Sequence, residues 1–161
     1  MTAIYHYVEG TPDVAQLPGI NAVVEAALMT WSLPERVKRL ALPSYRYTEA
    51  DLEHLGLATA RDAQGGVIAV AAWEPAAPGD GPPGRKALLL HGLYVHPLHQ
   101  RRGIGTALLR RALQAAAANG SDGLLVKAQH GAEAFFAGAA FTRLETVDGA
   151  RDYARRYWHP A

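Results

Sequence analysis

The chain has 161 residues, 49% of them hydrophobic and 19% charged, which supplies one buried core of ordinary domain size and excludes a disordered or collagen-like chain. Sixteen basic residues against fifteen acidic ones leave a formal net charge of +1, so bulk charge gives no reason to expect nucleic acid as a partner. There is no cysteine, which excludes disulfides, thiolate zinc sites and a thiol nucleophile.

The first strand is predicted over Ala3–Val8, rich in Tyr, Ile and Val. After a loop with Gly10, Pro12 and Pro18, helical spacing of Ile20, Val23, Val24, Ala27, Leu28 and Trp31 predicts a helix over Ile20–Trp31. Ser32-Leu33-Pro34-Glu35 reads as a capping box that starts a second helix, expected to end near Leu42, before Pro43. Thr48-Glu49-Ala50-Asp51 is a weaker start signal for a short third helix.

Leu57–Arg61 and Val67–Trp73 read as a hairpin around Asp62-Ala63-Gln64-Gly65-Gly66. The stretch from Glu74 to Gly84 holds four prolines and is a surface loop, with too little chain on either side for two independent cores. Arg85–Val95 is the next strand, and its apolar ALLL run predicts burial on both faces. Ile104–Ala118 is dense in strong helix formers and closes at Asn119-Gly120. Leu124–Ala128 is a strand parallel to the one before the helix. A short helix over Ala132–Ala139 follows. A last strand pair, Phe141–Thr146 and Tyr153–His159, is joined across Val147-Asp148-Gly149. The whole is read as a single domain over residues 1–161, of mixed α/β class. No apolar run reaches the roughly 18 residues that span a bilayer, and MTAIYHYVEG has no basic-then-apolar leader, so a cytoplasmic protein without a membrane partner is expected.

The most informative stretch runs from Leu93 to Thr106. A strand ends at Val95, a basic loop with Arg101 and Arg102 follows, glycines stand at 103 and 105, and a long helix begins at once. The outward N–H groups and dipole of a helix start bind anions, and glycines let a phosphate approach the backbone. No Gly-Lys-Ser/Thr is present, and position 108 is Leu108, so neither the nucleotide-hydrolase loop nor the dinucleotide fingerprint fits.

Gln100-x-x-Gly103-x-Gly105, with Leu-x-Val before it, an apolar helix after it and the later Ala134-Phe135-Phe136 to Phe141 segment, resembles the acetyl-CoA motif of the GNAT acyltransferase superfamily. The resemblance covers residues 57 to 145 well and the N-terminal third by element order. It implies a mostly antiparallel central sheet with helices on both faces and a splayed parallel strand pair. It implies acetyl-CoA as cosubstrate, with Gln100, Arg101, Arg102, Gly103, Ile104, Gly105 and Thr106 at the pyrophosphate and the Val95 N–H facing the thioester. Tyr94 and Phe136 are placed beside the cofactor. An amine, expected to be that of a small molecule, attacks the thioester directly.

His91 is the base candidate. It interrupts the apolar run Leu88–Leu93, and its spacing to Gly103 is similar to that of the second histidine in the His-x-His strand of arylalkylamine acetyltransferases; the first position is Leu89 here. The general acid implied by the resemblance is a tyrosine, but the matching position is Phe136, which has no proton to give. Tyr157 is the chosen substitute, ahead of Tyr153 and Tyr94. His96 and His99 read as solvent-facing or phosphate-adjacent, and His6, His54, His130 and His159 as surface residues without metal-ligand spacing. Trp31 and the first helices are expected at the acceptor end. A homodimer through the terminal strands is a possibility. The rival reading, kept open by Phe136, is a non-catalytic CoA-binding or sensor domain.

Overall fold

A computed structural model describes residues 4–129, 131–146, 148–149 and 153–161. The strands are β1 (His6–Glu9), β2 (Gly56–Arg61), β3 (Val67–Pro75), β4 (Ala87–Val95), β5 (Gly123–Lys127), β6 (Thr142–Arg143) and β7 (Arg156–Pro160). The helices are α1 (Leu17–Leu28), α2 (Glu35–Tyr45), α3 (Glu49–His54), α4 (Ile104–Ala118) and α5 (Glu133–Gly138). The strands form one mixed sheet in the order β1-β2-β3-β4-β5-β7-β6. β1/β2, β5/β7 and β6/β7 are antiparallel, and β4/β5 is the expected parallel pair.

The chain divides into two compact units, Met1–Ala72 with Gly92–Leu109 and Trp73–His91 with Arg110–Ala161. In the first unit, Ile20, Val23, Val24 and Ala27 of α1 pack with Leu52, Leu55, Leu57, Val70 and Tyr94. The α1 face read from sequence is thus the buried one. The helix runs from Leu17 to Leu28, because proline is tolerated in its first turn, and Trp31 lies in the turn beyond. Asn21 holds the chain after α2: its Nδ2 donates to the Tyr47 carbonyl (2.9 Å), and its Oδ1 accepts from the Tyr47 N–H (2.8 Å).

Two helix signals are corrected. Pro34, not Ser32, is the N-cap of α2, and no side chain caps that end. The complete capping box forms at α3, where Thr48 and Asp51 exchange side-chain-to-backbone bonds. Pro43 does not stop α2, which continues to Tyr45. The carbonyl that a residue 43 N–H would have reached belongs to Arg39 on the exposed face of the helix, open to solvent.

The hairpin forms as expected. The Asp62 carboxylate accepts from the Gln64 and Gly66 N–H groups at 3.0 and 2.8 Å. The strand buried on both faces is β3 rather than β4: residues 68–73 are all buried, whereas β4 alternates, with Leu88 and Leu90 buried and His91 exposed.

In the second unit α4 ends as expected. Gly120 takes φ +69°, and the Ser121 N–H returns to the Ala116 carbonyl at 2.9 Å. The final strands are shorter than their sequence signals: β6 is only Thr142–Arg143, paired with Trp158 and Tyr157, and β7 is Arg156–Pro160, paired along its length with β5. Val147, in the connection expected between them, and His130 lie outside the described residues.

Candidate active site

Within the first unit, β4 ends at Val95, a short turn spans Pro97–His99, and α4 begins at Ile104. The connecting backbone alternates in hand: Arg101 has φ +62° and Gly103 φ +78°. Left-handed residues spaced among right-handed or extended ones turn successive N–H groups toward one point and form an anion nest. The first intrahelical acceptor is the Gly103 carbonyl, reached by the Ala107 N–H at 3.0 Å. The amides of Ile104, Gly105 and Thr106 precede it and have no such partner within the helix. A Cβ added to Gly103 would meet nothing within 4 Å, so the space in front of the nest is open. Arg101, Arg102 and Gly103 are exposed, and the Gln100 side chain is anchored by donating to the Val95 carbonyl at 3.3 Å. Gln100 through Thr106, the stretch expected at the pyrophosphate, thus make up this left-handed loop and the first turn of α4.

Tyr94, next to Val95, is buried, and its ring lies edge-on to Tyr47 at 6.5 Å. Burial, with a smaller contribution from Tyr45, pushes the Tyr94 phenol far above its ordinary range. A phenol made less acidic is a worse donor to a departing thiolate, which counts against Tyr94 as the acid and leaves its expected place beside the cofactor untouched. Gly92 is the space those rings require: a Cβ there would stand 2.5 Å from Tyr47 Oη and 2.6 Å from Tyr94 Cε2. Gly92→Ala is expected to destabilise the protein by roughly 1–3 kcal/mol through overpacking, read as a lowered midpoint in thermal or urea denaturation. An unchanged midpoint would show that the two rings can retreat freely.

Within the second unit, the parallel ladder runs from Ala87–Gly123 to Leu90–Val126, and His91 is the first residue of β4 beyond it. Val126 pairs in turn with Tyr157. Residues opposite one another share a face, so Leu90, Val126 and Tyr157 point one way and His91, the next residue along β4, points the other. Tyr157 is buried, and its ring lies 6.4 Å from that of Phe136, which also packs on Phe141 at 5.6 Å. The two groups chosen as base and acid therefore stand on opposite faces of the sheet. Tyr153 is committed elsewhere: its hydroxyl donates to the Ala128 carbonyl (2.9 Å) and accepts from Arg155 (3.1 Å).

The sequence matches the model of the Acetyltransferase (GNAT) family over residues 23–141. The chain belongs to the GNAT acetyltransferase family. Its fold agrees with solved GNAT structures. The PaiA N-acetyltransferase from Thermoplasma acidophilum, solved with coenzyme A, superposes with a TM-score of 0.75 at 13% identity, covering 97% of this chain and 99% of that one. A GNAT acetyltransferase from Brucella melitensis, solved with acetyl-CoA, gives 0.61 at 18% identity over 98% and 97%. The protein of a KacTA–DNA complex gives 0.63 at 16% identity over 98% and 93%. No curated protein matches the sequence.

As a GNAT member the chain is an acetyltransferase with acetyl-CoA as cosubstrate. The nest at Arg101–Gly103 and the open space at Gly103 fit the diphosphate of that group. Tyr5, ahead of β1, accepts a hydrogen bond from Arg102 at 2.8 Å, a contact 97 positions apart that no local pattern announces. No helix among the described residues is long and apolar enough to cross a membrane.

Proposed function

We propose that this chain is a single-domain N-acetyltransferase, spanning residues 1–161, that moves the acetyl group of acetyl-CoA to the primary amine of a small molecule by direct attack in a ternary complex. The observation that carries the reading is the left-handed loop at Arg101 and Gly103 leading into α4, in a chain of the GNAT family. Acetyl-CoA supplies an activated thioester carbonyl. The chain has no cysteine to form an acyl-enzyme, which favours direct transfer.

His91 takes the proton from the incoming ammonium, directly or through one water. It is exposed and lies just past the end of the β4–β5 ladder. Strand alternation places it in step with Leu93 and Val95, the residue whose N–H is proposed to polarise the carbonyl. Tyr157, on the other face beside Phe136, is the proposed donor to the thiolate. At the acceptor end, half-buried Trp31 and Tyr45 meet edge-on at 5.3 Å and offer aromatic faces to an ammonium group.

Phe136 at the position of the usual acid favours a second reading, a CoA-binding domain without turnover. Isotope-labelled acetyl-CoA incubated with the full chain and a panel of primary amines separates the two. Label is expected in one or more amines. Retained CoA with no labelled amine would establish the binding domain, and neither binding nor transfer would overturn both.

A further inference from the structure

The residues around the anion loop include a side-chain cluster that the chemistry above does not use. Arg102 Nη1 donates to Tyr5 Oη at 2.8 Å, and Tyr5 Oη stands 3.2 Å from His99 Nδ1, with the two rings edge-on at 5.7 Å. A guanidinium carries only donors, so the phenol oxygen accepts from Arg102. With His99 in the tautomer protonated on Nε2, its Nδ1 accepts the phenol proton. His99 is itself held: its ring lies edge-on to His96 at 6.1 Å, and the His96 Nδ1 accepts from the Leu98 N–H at 3.2 Å. The chain of contacts runs from the N-terminal segment through the turn at Pro97–His99 to the exposed arginine of the nest.

We infer that Tyr5 is a positioning residue for the cosubstrate's phosphates: its hydroxyl, oriented by His99, holds the Arg102 guanidinium beside the nest before the ligand arrives. This rests on the proposed binding of acetyl-CoA at Arg101–Thr106. An exposed arginine has many rotamers, and fixing one of them costs affinity when the ligand must do it. Tyr5 does the fixing in advance and uses one of five N–H donors, leaving the guanidinium able to meet a phosphate oxygen.

The test is a double-mutant cycle on the full chain, with coenzyme A titrated by calorimetry into wild type, Tyr5→Phe, Arg102→Ala and the double variant. Tyr5→Phe keeps the ring and removes only the hydroxyl. It is expected to weaken coenzyme A about three- to ten-fold, the range for one side chain no longer pre-ordered. Arg102→Ala is expected to weaken it further, and the double variant to match Arg102→Ala alone. In steady-state assays the Tyr5→Phe effect should fall on the KM for acetyl-CoA and not on the KM for the amine. A tyrosine that merely anchored the N-terminal segment would cost affinity in the Arg102→Ala background too, so losses that multiply overturn the inference. Wild-type or tighter binding by Tyr5→Phe also overturns it, the tighter result meaning that Tyr5 holds Arg102 away from the ligand. If wild type itself fails to bind coenzyme A, the proposed function falls first and this inference with it.

Discussion

Gly103→Glu is expected to abolish the rise in melting temperature that acetyl-CoA gives the wild-type chain. Two effects act together. Gly103 holds φ +78°, where an L side chain costs about 1–2 kcal/mol, and the open space in front of its Cα is where a diphosphate would sit. A glutamate there fills that space and sets a carboxylate against the phosphates. The wild-type rise corresponds to about 2.7 kcal/mol at a hundredfold excess of ligand over its dissociation constant. The strain lowers the melting temperature with or without ligand, so the quantity to compare is the difference between the two scans. Gly103→Ala shares the strain without the carboxylate and should keep part of the response. An undiminished rise in Gly103→Glu would show that the nest does not hold the cosubstrate.

The second large effect is at His91. His91→Ala is expected to lower turnover by about 100-fold or more, the usual worth of a general base, with binding of acetyl-CoA largely retained because the anion loop is untouched. Tyr157→Phe should cost less, since a thiol leaves tolerably without help: its pKa is about 8.5. The ring that packs on Phe136 is preserved in that variant, so a loss there reports the hydroxyl. Single-turnover rates separate the two. Full activity in His91→Ala would leave water or the substrate itself as base, and a large loss confined to Tyr157→Phe would make proton delivery to the thiolate the demanding step.

What was legible in the sequence is what local chemistry decides. The Ile104–Ala118 helix is legible to the residue, because alanine and leucine propensity and the Asn119-Gly120 stop agree with each other. The loop before it is legible because Gly103 and Gly105, set between a strand and a helix beside two arginines, give the backbone room for an anion. The two capping signals exchange in strength. Ser32-x-x-Glu35 is the better match by residue type, yet Pro34 with its extended ψ takes the cap, while Thr48 and the shorter Asp51 close the box. The ALLL run of β4 looks buried on both faces because composition carries no information on what covers each side. The opposite facing of His91 and Tyr157 depends on the register of β4, β5 and β7, and the demand for a bare Cα at Gly92 depends on Tyr47 and Tyr94 arriving from elsewhere. Such facts are tertiary.

The left-handed backbone of Arg101 sets the position apart from its glycine neighbour. Replacing Arg101 by glycine would release about 1 kcal/mol of strain and return about 0.4–1 kcal/mol through a more flexible unfolded chain, so the two nearly cancel. The arginine is therefore close to thermodynamically silent in the empty protein. On the proposed reading, what the arginine contributes is cosubstrate affinity rather than fold stability. On that reading the loop can exchange its cation, and with it its affinity for an anion, without any compensating change in the core.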